Sequence, residues 1–239
     1  MSSQASSLSA SGTLGVLMLD TRFPRVVGDI GNPASFAFAV RYGTVRGASP
    51  QRVVVERDAS LLAPFLAAGE ALVDEGATAL TTSCGFLVLF QRALAAALPV
   101  PVWTSSLLLV AEVNAALGPG RTAGVVTVDA ASLSADHLIA AGAPTDTPVE
   151  GLAPGCAFRR TLLENRAELD VESARDATVD AAIRLVARRP DVAAIVLECT
   201  NMPPYAAAVG AATGRPVHDI TTLLAARFGA ASRRAESLQ

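Results

Sequence analysis

The sequence predicts an α/β protein of two pseudo-symmetric lobes, each built on a parallel sheet, with the active site in the cleft between them. Three observations carry this expectation. Short Val- and Leu-rich runs alternate with segments of helical spacing along most of the 239 residues. A Gly118-Pro119-Gly120 break interrupts that alternation, and the same order of elements resumes after it. Apolar residues make up 51% of the chain against 17% charged and 5% aromatic, a mixture suited to helices packed on buried sheets.

Taken in order, Thr13–Leu19 (TLGVLML) is an unbroken apolar run, the pattern of a central strand buried on both faces. Residues 22–48 turn to Pro, Gly, Asn and Arg with scattered Phe; a loop of that length inside a compact domain is expected as a lid over a site. A short strand follows at 52–55, then a helix over 59–75 with Leu62, Phe65, Leu66 and Leu72 on one face. A strand at 77–81, a helix at 86–98, a short strand at 100–103 and a helix at 105–117 complete the first half.

After the break, residues 123–128 (AGVVTV) predict a strand, 131–141 a helix ended by Gly142, and 148–152 a weak strand. A long amphipathic helix is expected over 168–189 with Pro190 as its stop, then a strongly apolar strand at 192–198. A helix over 203–213 ends at Gly214, Val217 begins a short strand, and 221–231 form the last helix. The expected lobes are 13–117 plus 218–239 and 118–217, with the Ser- and Ala-rich residues 1–12 as a disordered tail.

Composition excludes several classes. A net charge of −3 and no Lys/Arg cluster longer than two residues give no electrostatic footprint for nucleic acid. No apolar stretch reaches the ~18 residues of a membrane span, and the start lacks the basic and apolar regions of a secretory signal, so a cytoplasmic protein is expected. All 19 residues of the Lys+Arg count are Arg. Without lysine there is no Schiff base for pyridoxal phosphate and no Walker-type phosphate site. Three widely spaced cysteines argue for free thiols rather than a disulfide framework.

Two cysteines share a context. TALTTSCGF (78–86) and AIVLECTNMPPY (194–205) each place a Cys at the carboxyl end of an apolar strand and before a helix, where open α/β sheets bind ligands. The N–H groups of the following helix are expected to favour the thiolate and lower its pKa. With Thr82, Ser83, Gly85, Thr200 and Asn201 they would cradle a carboxylate. Cys156, in GLAPGCAF, has no such context.

These motifs, above all Glu-Cys-Thr-Asn-Met at 198–202, resemble the aspartate/glutamate racemase superfamily over nearly the whole chain. The resemblance implies two α/β lobes, no cofactor or metal, and one thiol on either face of a substrate carbon. In its first motif the chain departs from that pattern, because Cys84 is followed by Gly85-Phe86 and its hydroxyl neighbours precede it, which leaves the register open. The altered Asp20-Thr21 after the first strand likewise leaves the substrate open. Inverting a carbon beside a carboxylate needs one group to remove a proton and another to return it from the opposite face. The reading is therefore a racemase or epimerase of a small carboxylate, an amino acid in the simplest case, with Cys84 and Cys199 exchanging acid and base roles. The alternatives are a hydantoin racemase, a maleate-isomerase-like enzyme with one nucleophilic Cys, and a non-catalytic binding protein of the same fold.

Other residues are weighed by position. Thr127 and Asp129 lie at a strand end and are candidate ligand contacts. Asp20 is read either as an aid to proton transfer at Cys84 or as a turn residue. His218, after a short strand, is a candidate for orienting a thiol or substrate; His137 reads as a packing or surface residue. Glu198 should alternate away from the cleft if its strand stays regular. No metal spacing joins His and Cys, and whether the chain forms a homo-oligomer is not legible.

Overall fold

The computed structural model describes residues 12–236. Its core is two four-stranded parallel sheets. The first is ordered β2-β1-β3-β4, from Val40–Val45, Thr13–Leu19, Ala77–Thr82 and Val102–Trp103. The second is ordered β6-β5-β7-β8, from Val149–Gly151, Thr122–Thr127, Val192–Leu197 and Val217–His218. Helices flank both sheets, as the alternating sequence predicts. The internal repeat extends to a shared irregularity: β1 slips register against β3 between Thr13 and Leu14, and β5 against β7 between Thr122 and Ala123.

Central strands form where apolar side chains can be buried on both faces. Every residue of β7 is buried, as are Leu14, Val16, Leu17, Val125 and Val126. Each such Val, Leu or Ile contributes about 1.5–3 kcal/mol over its exposed state. Helix α1 (Leu62–Asp74) buries Phe65, Gly69 and Leu72 at helical spacing, and Gly69 lets Leu98 pack where a Cβ would stand 2.7 Å away. The helix at Val171–Arg188 begins on Asp170, whose side chain accepts from the Ser173 N–H, and turns Ala174, Thr178, Ala181 and Leu185 onto the second sheet. The last helix, Ile220–Glu236, starts from an Asp219 that accepts from the Thr222 N–H, and its Phe228 meets Phe38 with ring centroids 4.8 Å apart.

Several expectations need correction. Residues 51–55 are not a strand but a π-helical turn, Gln51–Val55, which aims Val53 and Val54 inward with no sheet edge to join. Residues 22–48 are not all loop. They hold a short 3-10 turn at Pro33–Ser35 and the edge strand β2, whose apolar signal is diluted by Arg41 and by Gly43 under Leu72. The helices expected at 86–98 and 105–117 each begin as 3-10 turns, Gly85–Phe90 and Ser106–Leu109, before one α-helical stretch of seven residues. An unpredicted helix, Ala157–Leu163, packs Phe158 and Leu162 inward. His218 belongs to the second sheet through its pairing with Val196. The tail expected at 1–12 lies outside the described residues apart from Gly12. No helix among the described residues is long and apolar enough to cross a membrane.

Candidate active site

Backbone pairing sets the two thiols in equivalent places. The Ser83 N–H donates to the Leu17 carbonyl at 2.9 Å across β3 and β1, and the Glu198 N–H donates to the Val126 carbonyl at 2.8 Å across β7 and β5. Ser83 thus corresponds to Glu198, and Cys84 to Cys199, which fixes the register the sequence leaves open. Both cysteines line one small cavity. Its walls are largely apolar, from Leu19, Phe23, Pro50, Val54, Phe86, Val128, Leu162 and Leu163. Ser83, Gly85, Glu198, Thr200 and Asn201 complete it. All three cysteines are free, and among the described residues no group of three His, Cys, Asp or Glu side chains could hold a metal ion.

The halves are tied together at the site. Thr200 Oγ1 donates to the Ser83 carbonyl at 2.7 Å, and Ser106 Oγ donates to the Leu197 carbonyl at 2.7 Å. The segment expected as a lid does cross to the second half: the Ile30 N–H donates to the Thr200 carbonyl, and Asp29 accepts from Asn201 Nδ2 at 2.5 Å. Asp29 is held in turn by Arg25 at 3.0 Å and by the Gly31 N–H at 2.7 Å. The Arg25 guanidinium lies over the Phe23 ring, 4.5 Å from its centroid, and donates to Thr21 Oγ1. Cys199 Sγ donates to Asn201 Oδ1 at 3.5 Å, so a chain of polar contacts runs from Arg25 to the thiol.

Not every candidate reaches the cavity. Thr82 stands behind it with its hydroxyl between the carbonyls of Thr104 and Cys84. Thr127 donates to Glu198 Oε2 at 2.7 Å instead of facing a ligand. Asp20 takes the turn role, accepting from the Gly47 N–H, and His218 lies outside the lining. Asp129 pairs with Arg159 at 3.3 Å. His137 is buried, caps its own helix with Ser134, and is held down near 4 by burial. Ser83 keeps its place: its Oγ accepts from the Leu19 N–H at 2.8 Å, leaving its proton to donate to a ligand.

Glu198 is the residue the sequence reading misses. Strand β7 ends at Leu197, so alternation no longer governs the next two residues, and both Glu198 and Cys199 are among the residues that line the cavity. The side chain is 1% exposed and its Oε1 has no hydrogen-bond partner among the described residues. Gly85 makes room for it, since a Cβ there would sit 2.2 Å from Oε1. Burial pushes the carboxyl up to about 7, against the opposing pull of the Thr127 hydroxyl.

The expectation of low thiol pKa values is also corrected. Burial, then the Glu198 charge, push Cys84 up to about 12 and Cys199 well above the ordinary thiol value. The N–H groups of Phe86 and Leu87 at Cys84, and of Asn201 at Cys199, pull the other way and lose. The element after Cys84 is a six-residue 3-10 turn rather than a full helix, which limits that pull.

Glu198 makes stability depend on pH in a known direction. The folded chain holds a proton there that the unfolded chain releases, so this contribution is complete below about pH 4.5 and is lost as pH rises through about 7. Denaturant midpoints measured from pH 5 to 7.5 should fall in the wild type, and the fall should flatten in Glu198→Gln.

No family model matches the chain. Solved structures with the same architecture include unliganded arylmalonate decarboxylase, at TM-score 0.59 and 18% identity, covering 93% of this chain and 92% of that one. A glutamate racemase from Bacillus anthracis gives TM-score 0.58 and 19% identity, covering 94% and 82%. The chain therefore shares the fold of these two enzymes. A dimethylsulfoniopropionate lyase from Durusdinium sp. clade D is 32% identical over 214 residues, 87% of this chain and 71% of that protein. Dimethylsulfoniopropionate lyase 7 of Emiliania huxleyi (strain CCMP1516) is 32% identical over 222 residues, 88% of this chain and 64% of its own length. The chain belongs to the dimethylsulfoniopropionate lyase family. These relatives are enzymes named for a lyase reaction, which overturns the expectation of a racemase or epimerase.

Proposed function

We propose that the chain cleaves dimethylsulfoniopropionate, or a close β-sulfonium carboxylate, by elimination. The identity to lyases over 87% of the chain carries this reading, and the paired thiols in a small cavity support it chemically. Racemisation and this elimination share a first step, removal of a proton from the carbon beside a carboxylate. They part at the next bond. A sulfonium on the neighbouring carbon is a neutral leaving group in waiting, so the electron pair of the broken C–H bond forms the C=C bond while the C–S electrons depart with sulfur. The products are dimethyl sulfide and acrylate, and the proton, held on the cysteine, passes to water.

The residues divide the work accordingly. A thiolate of the Cys84/Cys199 pair takes the proton and the opposing cysteine confines the reacting carbon. The Ser83 hydroxyl donates to the substrate carboxylate, where negative charge builds as the proton leaves. Thr200, Asn201 and Asp29 hold the second cysteine's backbone and thiol in place. Quantifying headspace sulfide from the purified chain and dimethylsulfoniopropionate tests the reading. Release well above the buffer control is expected; none would overturn it.

A further inference from the structure

We infer that Glu198 is the binding partner of the substrate's cationic end, so that the cavity selects a zwitterion over a carboxylate of the same shape that lacks the cation. The inference rests on the elimination reading for the identity of the cation, but its evidence lies in the site. An unpartnered carboxyl oxygen, almost wholly buried on a residue that lines the cavity between the two thiols, is rare in folded proteins and calls for a partner. Neither a metal cluster among the described residues nor any lysine in the chain supplies one.

The pseudo-symmetry sharpens the point. Glu198 and Ser83 occupy equivalent positions just before the two cysteines, yet one bears a carboxyl group and the other a hydroxyl donor. A substrate with a carboxylate at one end and a sulfonium at the other matches that asymmetry; a simple carboxylate would meet repulsion at Glu198. Gly85 shows that the carboxyl is accommodated by the backbone and not incidental, since any side chain there would displace it. Glu198 also raises both thiols. A cation seated against it removes that penalty, so substrate binding would itself favour the thiolate. A compound without the cation would leave that penalty in place.

Two probes of matched shape isolate the charge: 3-(trimethylammonio)propanoate and 4,4-dimethylpentanoate, in which carbon replaces the cationic nitrogen. Calorimetry should show that the wild type binds the first at least about tenfold more tightly. In Glu198→Gln, which still accepts from Thr127, the ratio should fall to about one while affinity for the probe without the cation stays within about threefold. An unchanged ratio in that variant would overturn the inference. Should that variant not fold, the wild type suffices: the ratio should climb from pH 5.5 to 8 as Glu198 ionises, and a flat ratio would refute it. The other ionisable groups around Glu198 are Cys84 and Cys199, both held protonated over that range, and the Arg25–Asp29 pair behind Asn201. Neither probe can release dimethyl sulfide: 4,4-dimethylpentanoate has no leaving group, and trimethylamine leaves far less readily than dimethyl sulfide. A preserved charge preference with no sulfide release would leave this inference standing and remove the catalytic one.

Discussion

Replacing Cys84 or Cys199 by alanine is expected to lower sulfide release by about 10²–10⁴-fold, the range a positioned general base supplies. Both positions are expected to matter because the thiols sit at equivalent strand ends around one cavity, and removing either leaves the reacting carbon unconfined on one side. The size of each loss assigns the roles, since elimination needs a base on one face only. Serine should rescue shape but not proton removal, so the base position is the one where serine is as damaging as alanine. Folding should be little affected: the polar contact of Cys199 Sγ to Asn201 Oδ1 is long, at 3.5 Å, and Cys84 is only partly buried. If both single variants turned over like the wild type, the thiol pair would have no part in catalysis.

Arg25→Met is expected to cause the second large effect, on stability and activity together. The Arg25 and Asp29 side chains are 13% and 3% exposed, and their ion pair is joined by contacts to Thr21, Gly31 and Asn201. Removing the cation leaves a buried carboxylate without its charge partner, a change that costs about 3–5 kcal/mol. Thermal unfolding should shift down by roughly 6–20 °C for a chain of this size. Turnover should fall as well, because Asp29 holds the Asn201 amide whose oxygen accepts from Cys199. A variant with unchanged melting and unchanged turnover would show that the segment across the cavity is dispensable.

The parts of this fold legible in the sequence are those where burial alone decides structure. The runs at 13–19, 122–127 and 192–197 read as strands because both faces are largely covered and nearly every side chain is apolar. Edge strand β2 hides because only part of VRYGTV is buried, whereas VVV at 53–55 mimics a strand although its partners are helices and loops. At the site, the two cysteines declare themselves by their strand-end contexts. Glu198 does not, since period-two alternation breaks where β7 ends. Asp29 and Arg25 lie about 170 residues from the Asn201 they support, a distance no local pattern spans. The expected racemisation and the proposed elimination both begin with proton removal beside a carboxylate, so the residues that perform it look alike in sequence. The bond that distinguishes the two reactions belongs to the substrate.

The most direct test of the account is a proton NMR time course of the purified chain with dimethylsulfoniopropionate in deuterated water. The account expects the vinyl signals of acrylate and the methyl signal of dimethyl sulfide to grow in equal amounts, with both absent in a Cys84→Ala/Cys199→Ala double variant. Substrate that gains deuterium at the carbon beside its carboxylate while releasing no sulfide would contradict it.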